Sequence, residues 1–166
     1  VGLISLPFMR LESDLDGVIE MLAPATSHIV FSQPAAERLV GTAELLKVVG
    51  VLKRKFEHAF ISVTAGENGC FWFDDATGEV CHLAAPKVRA VDTLAAGDIF
   101  HGAFVLAIAE GMPIEETMRL SSMAAALKCQ VFGGRTGAPT RAEVCKVLQD
   151  WRPAVATMKV ITPEEL

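Results

Sequence analysis

One stretch of the chain carries residue types that could handle a phosphate: Val91-Asp92-Thr93-Leu94-Ala95-Ala96-Gly97-Asp98, a run of small residues leading into the apolar segment Ile99 to Ile108. Small side chains let a backbone approach a ligand closely. The first amides of a helix lack an intrahelical acceptor, and with the helix dipole they form an anion site. A carboxylate in that place, Asp98, would repel a phosphate unless it has a task, such as accepting the proton of an attacking hydroxyl. The same residues allow a plainer reading, in which Asp98 complements the helix dipole and the small residues permit tight helix packing. Local physics leaves both open.

Other candidates are weaker on their own. Ile61-Ser62-Val63-Thr64 followed by Ala65-Gly66-Glu67-Asn68-Gly69 reads as a strand ending in a turn, with Gly66 and Gly69 supplying positive φ. Asp92 and Thr93 suit a turn ordered by Asx-type bonds. His101 follows Asp98 by one helical turn, and a lone histidine on an apolar helix reads first as a satisfied core residue. Phe71, Trp72, Met118 and Met123 have the spacing of packing residues.

These residues need elements to hold them. His28–Ser32 is a short β-rich run, Pro34 opens a small helical patch, and Gly41 ends it. Leu45, Val48, Val49, Leu52 and Phe56 fall on one helical face. Phe60–Thr64 reads as a buried strand, and Cys70–Phe73 with Glu79–Leu83 reads as an antiparallel hairpin around Asp74 to Gly78. Ile99 to Ile108, apolar nearly all round, predicts a helix sandwiched between a sheet and other helices. Helices also follow from Pro113 with Leu120, Met123, Ala124 and Leu127, and from the capping-box pair Thr140 and Glu143 ahead of Val144, Val147, Leu148 and Trp151. Alternating strands and helices favour an α/β layered fold with a mainly parallel sheet. Residues from about 153 to 166 read as a tail.

Composition narrows the function classes. A chain of 166 residues, 51% hydrophobic and 21% charged, can bury the core of one globular domain. The net charge of -5 comes without a dense basic run, so the footprint of a nucleic-acid binder is missing. Cys70, Cys81, Cys129 and Cys145 lack the close pairing of a zinc or redox motif and read as reduced, mostly buried thiols. No stretch reaches the roughly 20 apolar residues of a membrane helix, and Val1 to Phe8 lacks a signal peptide's basic flank, so a cytoplasmic location is expected.

The segment VDTLAAGDIFHGAF resembles the second signature of the PfkB or ribokinase-like carbohydrate kinases, a D-T-x-[GA]-A-G-D box opening a helix. That resemblance implies a ribokinase-like fold and an ATP-dependent kinase acting on a small sugar. It implies Asp98 as catalytic base, with the backbone of Ala95, Ala96 and Gly97 as anion hole. The ISVTAGENGC segment is similar to a family strand ending in T-x-G, which assigns ATP contacts to Thr64 and Gly66. Ser122 through Ala126 and Gly133 to Pro139 resemble the wall of the adenine pocket, assigning Ser122, Gly134 and Gly137 to the nucleotide.

The resemblance also implies Mg2+ with ATP, and in some members K+ near the residues matching Asp92 and Thr93. The family's N-x-x-E motif is absent: Ser32 and Ala35 stand at its ends. Family members are about twice as long, so residues 1–166 are expected to be the C-terminal, nucleotide-binding part, lacking the sugar and lid half. Such a part would expose apolar surface and tend to self-associate, with a homodimer one option. FSQPAAERLVG, AALKC and DIFHGA lean towards ketohexokinase-like and sulfofructose-kinase-like members. A non-catalytic nucleotide-binding or assembly module is the rival reading.

Overall fold

The structure, a computed structural model, describes residues 3–6 and 21–160. They divide into two compact units, one made of residues up to Ala65 with Phe71–His82 and the segment from Ala156, the other of Gly66–Cys70 and Leu83–Val155. Composition alone suggested one domain, because it measures how much can be buried and not how many cores result.

The first unit is built on a six-stranded mixed sheet in the order β1 (Leu3–Leu6), β2 (His28–Ser32), β3 (Phe60–Thr64), β4 (Cys70–Asp74), β5 (Glu79–Leu83) and β6 (Ala156–Met158). β1 runs parallel to β2, and β2 parallel to β3 with Ile29 opposite Ile61 and Phe31 opposite Val63. The crossover from β2 to β3 contains helices α1 (Gln33–Val40) and α2 (Leu45–Lys55), as parallel pairing requires. Pro34 sits in the first turn of α1, where a missing N–H costs nothing. Gly41 ends α1 in the left-handed region at φ 80°, its amide donating to the Glu37 carbonyl.

The three central residues of β2 and of β3 are buried, as expected for strands covered on both faces. Ile29, Phe31, Ile61 and Val63 pack with Val48, Val49, Leu52 and Phe56 of the α2 face into one core. The hairpin between β4 and β5 turns at Asp74, which accepts the Ala76 amide on Oδ1 while the Gly78 amide donates to its carbonyl.

β6 corrects the expected tail. It pairs antiparallel with β5, Val80 opposite Met158 and His82 opposite Ala156. A three-residue strand leaves little side-chain pattern to read. Val160 follows it onto the first core, beside Gly50 of α2.

The second unit is helical: α3 (Ala96–Ala109), α4 (Ile114–Cys129) and α5 (Arg141–Leu148). Ala107, Leu120, Met123, Ala124, Val144 and Leu148 form its core. The capping box at α5 is present in full: Thr140 Oγ1 accepts the Glu143 amide, and Glu143 accepts the Thr140 amide at 2.7 Å. Arg141 adds an ion pair to Glu110 at the end of α3.

The expectation that α3 is enclosed on all sides is not met. It buries one face, Phe100, His101, Phe104 and Ala107, while Val105 and Leu106 are 44% and 47% exposed. The residues left open are bulky, so the all-round apolar pattern here marks a second apolar face that the described residues leave partly exposed. Cys70 and Cys81 are buried as expected, but Cys129 is half-buried and Cys145 is exposed on α5.

Gly69 gives a direct test of the turn after β3. Its φ is 88°, and a Cβ there would lie 2.0 Å from the Leu83 carbonyl oxygen. Gly69→Ala is expected to lose at least about 2 kcal/mol, since left-handed strain adds to a backbone overlap. Urea unfolding measures it; an unchanged midpoint would contradict this geometry.

Candidate functional site

The candidate site lies at the start of α3 in the helical unit. Asp92 orders the approach to it. Its Oδ1 accepts the Leu94 amide at 2.9 Å and its Oδ2 accepts the Gly133 amide at 2.9 Å. These bonds, with Lys128 beside the carboxylate, hold the Asp92 carboxyl down at about 2, from an ordinary 3.8. The Asx turn expected here is therefore present, and one of its bonds reaches a loop 41 residues further on.

That second loop follows α4 and is stitched to the first along its length. The amides of Val91 and Asp92 both donate to the Cys129 carbonyl, at 2.7 and 3.1 Å. Gly134 lies against Leu94, whose Cδ2 would be 3.5 Å from a Cβ at that glycine. Gly137 closes the short 3-10 turn Arg135–Gly137 and is buried against Val131.

The chain then turns sharply into α3. Ala95, the N-cap, has φ 63° and ψ 11°, and it is the one non-glycine residue at positive φ among the described residues. The Ala96 amide donates to the Thr93 carbonyl at 3.1 Å, and Ile99 donates the first intrahelical bond, to Ala95 at 3.0 Å. Between them the amides of Gly97 and Asp98 head the helix with no intrahelical acceptor available. Of the three backbone positions expected to form an anion hole, Ala96 thus has its amide turned inward to the loop, while Gly97 leads the free turn.

Asp98 and Gly97 are both exposed. A Cβ on Gly97 would meet nothing within 4 Å, so this side of the first turn is uncrowded. His101, one turn on, is 5% exposed and edge-on to Phe100. Burial lowers its pKa, opposed by the charge of Asp98, which fits the core role read from sequence.

The remaining sequence candidates sit on other elements. Ser122 is buried in α4, and its hydroxyl is 3.6 Å from the Cys70 sulfur. Burial pushes that thiol up to about 12, with the Ser122 bond opposing the shift. Gly66 is exposed at φ 55° and opens a 3-10 turn to Asn68. Thr64 belongs to the sheet unit, where its hydroxyl donates to the Phe31 carbonyl at 3.3 Å. Thr93 is exposed, and only its carbonyl has a role in the turn.

Two facts bear on metals. Ser32 Oγ, at the head of α1, is buried without a hydrogen-bond partner among the described residues, and Ala35 offers no ligand atom. A lone hydroxyl is not the carboxylate set that magnesium favours. Among the described residues no three His, Cys, Asp or Glu side chains converge as a metal centre.

Lys128 is the residue that the sequence did not single out. It lies in the last turn of α4 with its side chain fully buried, its ammonium 2.8 Å from the Asp92 carbonyl and 3.3 Å from Asp92 Oδ2. A lysine near a helix C-terminus ordinarily signals a surface charge on the dipole. Nothing in AALKC announces that this one points inward.

Two substitutions test this geometry. Ala95→Gly is expected to raise stability by about 0.5–1 kcal/mol, because removing left-handed strain outweighs the added chain entropy; a fall in the urea midpoint would contradict it. Asp92 has a depressed folded pKa, so its contribution is present above about pH 4 and is lost as pH falls towards 2. Asp92→Asn should therefore be less stable at neutral pH and lose less on acidification over that window; a parallel pH profile would contradict the assignment.

Comparison with known proteins places this geometry in context. The pattern of the pfkB family carbohydrate kinases matches residues 6–141. The chain is 40% identical over 90 residues to a ribokinase of Bacillus subtilis, covering 54% of this chain and 30% of that protein. It is 37% identical over 84 residues to a ribokinase of Schizosaccharomyces pombe, covering 51% and 26%. Among solved structures, a candidate ribokinase from Agrobacterium tumefaciens superposes with TM-score 0.78 at 52% identity, over 81% of this chain and 44% of the other. Arabidopsis thaliana ribokinase, complexed with ribose and ATP, gives TM-score 0.70 at 27% identity, over 77% and 42%. The chain thus spans less than half the length of these relatives. With a family match across most of its length, and with the box and helix start that the match contains, the chain belongs to the pfkB family of carbohydrate kinases.

Proposed function

We propose that this chain supplies the phosphate-binding and proton-accepting part of an ATP-dependent sugar kinase acting in the cytoplasm. The observation that carries the reading is the start of α3: a left-handed N-cap at Ala95, an uncrowded and exposed Gly97 in the first turn, and exposed Asp98 in that same turn. The expected nucleotide contacts at Gly66, Ser122, Gly134 and Gly137, and at Thr64 in the sheet unit, belong to the same proposal.

In this reading a sugar hydroxyl lies between Asp98 and the γ-phosphate of ATP. Asp98 accepts the hydroxyl proton as the oxygen attacks phosphorus, and the bond from phosphorus to the β-γ bridging oxygen breaks, leaving ADP. The Gly97 and Asp98 amides, fixed before the reaction, stabilise the charge on the transferring phosphoryl oxygens. Magnesium, when bound with the nucleotide, shields the phosphate charge; Ser32 and Ala35 do not form a site for it, and no step here depends on a protein-held ion.

A second reading is a nucleotide-binding module without turnover. Calorimetric titration of Mg-ATP into the 166-residue chain separates binding from its absence. Saturable binding that weakens on Gly97→Leu is expected, with Gly97→Ala as the control that fits the open space. No binding by a folded chain would contradict the site.

Whichever form of the protein phosphorylates a sugar, Asp98→Asn should lower turnover by about a hundredfold to ten-thousandfold, the range of general base catalysis, with ATP affinity nearly unchanged. Turnover retained alongside weakened ATP binding would overturn the role of Asp98. ATP binding with no turnover at saturating sugar in every form would favour the module.

A further inference from the structure

Lys128 poses a physical question. Lysine is almost never fully buried without a partner, and an unpaired buried ammonium is costly. Yet its side chain is 0% exposed, at the point where the two loops around the start of α3 meet. Among the described residues the ammonium meets three oxygens: the Asp92 carbonyl at 2.8 Å, Asp92 Oδ2 at 3.3 Å and the Val131 carbonyl at 3.4 Å. Two backbone carbonyls and one carboxylate are what a hard monovalent cation of potassium size would recruit to replace its hydration shell. The resemblance to potassium-activated kinases pointed to such an ion beside Asp92 and Thr93. The residues present do not leave it room, because a covalently attached cation stands among those oxygens.

We propose that Lys128 is a tethered replacement for a monovalent cation, so that the loop geometry at Asp92, and with it the start of α3, is independent of potassium. The ammonium group supplies one positive charge and three donors at the junction. Held by α4, it neutralises Asp92 and ties the loop before α3 to the loop after α4, which the Gly133 amide also joins. Lys128 acts through Asp92 and is a positioning residue. No electron or bond changes hands at it.

The test compares potassium, sodium and choline chlorides at equal ionic strength. For the unmodified chain, thermal unfolding midpoint and Mg-ADP affinity should be the same in all three. The midpoint does not depend on the nucleotide-binding reading, whereas the affinity arm rests on it, so a failure of that reading would show as absent ADP binding with the stability results intact. Lys128→Ala should lower the midpoint by roughly 10 °C in choline chloride. Potassium or ammonium, but not choline, should then restore at least half of the loss by entering the vacated oxygens.

A potassium-specific rise in the midpoint of the unmodified chain would overturn the proposal, as would a Lys128→Ala loss that no cation restores, which would mark Lys128 as a structural ion pair only. Should Lys128→Ala fail to fold in choline chloride, folding in potassium chloride would support the proposal and failure in every salt would overturn it. Lys128→Met, which fills the space without a charge, should remain insensitive to potassium; a potassium response there would also count against it.

Discussion

The carboxylate of Asp92 is the constraint on which the rest of the site depends. It accepts one amide from its own loop, at Leu94, and one from the loop after α4, at Gly133, beside the buried ammonium of Lys128. Each partner alone is a modest interaction, but a buried charge cluster is costly to leave half satisfied. The two loops are therefore ordered together or not at all. Once Asp92 is fixed, Thr93 offers its carbonyl to the Ala96 amide, and the chain can enter α3 only by a tight turn at Ala95.

That turn explains why the free amides come where they do. A left-handed N-cap without a capping side chain leaves the Gly97 and Asp98 amides without a serine or aspartate oxygen to satisfy them, while Ala96 donates back to Thr93. Ala95 adopts φ 63° at a cost that glycine would avoid. Strain of this kind persists where surrounding structure determines it, and here the Asp92 network does so. Asp98 is the third residue of a helix whose uncapped first turn favours an anion.

Much of the architecture was legible in the sequence because it rests on side-chain pattern. β2 and β3 begin and end where the β-branched and aromatic runs HIVFS and FISVT do, and the Thr140 and Glu143 capping box formed as written. Two short strands were missed: β6 covers only three residues, although Met158 and Val160 alternate with Thr157 and Lys159 and pack on the first core, and β1 covers only four, between Gly2 and Pro7. The all-round apolar pattern of α3 does not amount to enclosure, since Val105 and Leu106 stay exposed although they are bulky. At the site, the box and its helix were readable from local physics, and the Asx turn from Asp92. Lys128 was not, since only the path of the loop after α4 brings Asp92 and the Val131 carbonyl around it.

The central claim is that the first turn of α3 is a phosphate site whose donors are the Gly97 and Asp98 amides. Amide chemical shifts recorded during titration of Mg-ADP into isotopically labelled chain test it most directly. The account predicts that the Gly97 and Asp98 resonances move together and saturate with the same dissociation constant. Saturable binding that leaves both amides unmoved while shifting resonances elsewhere would contradict it.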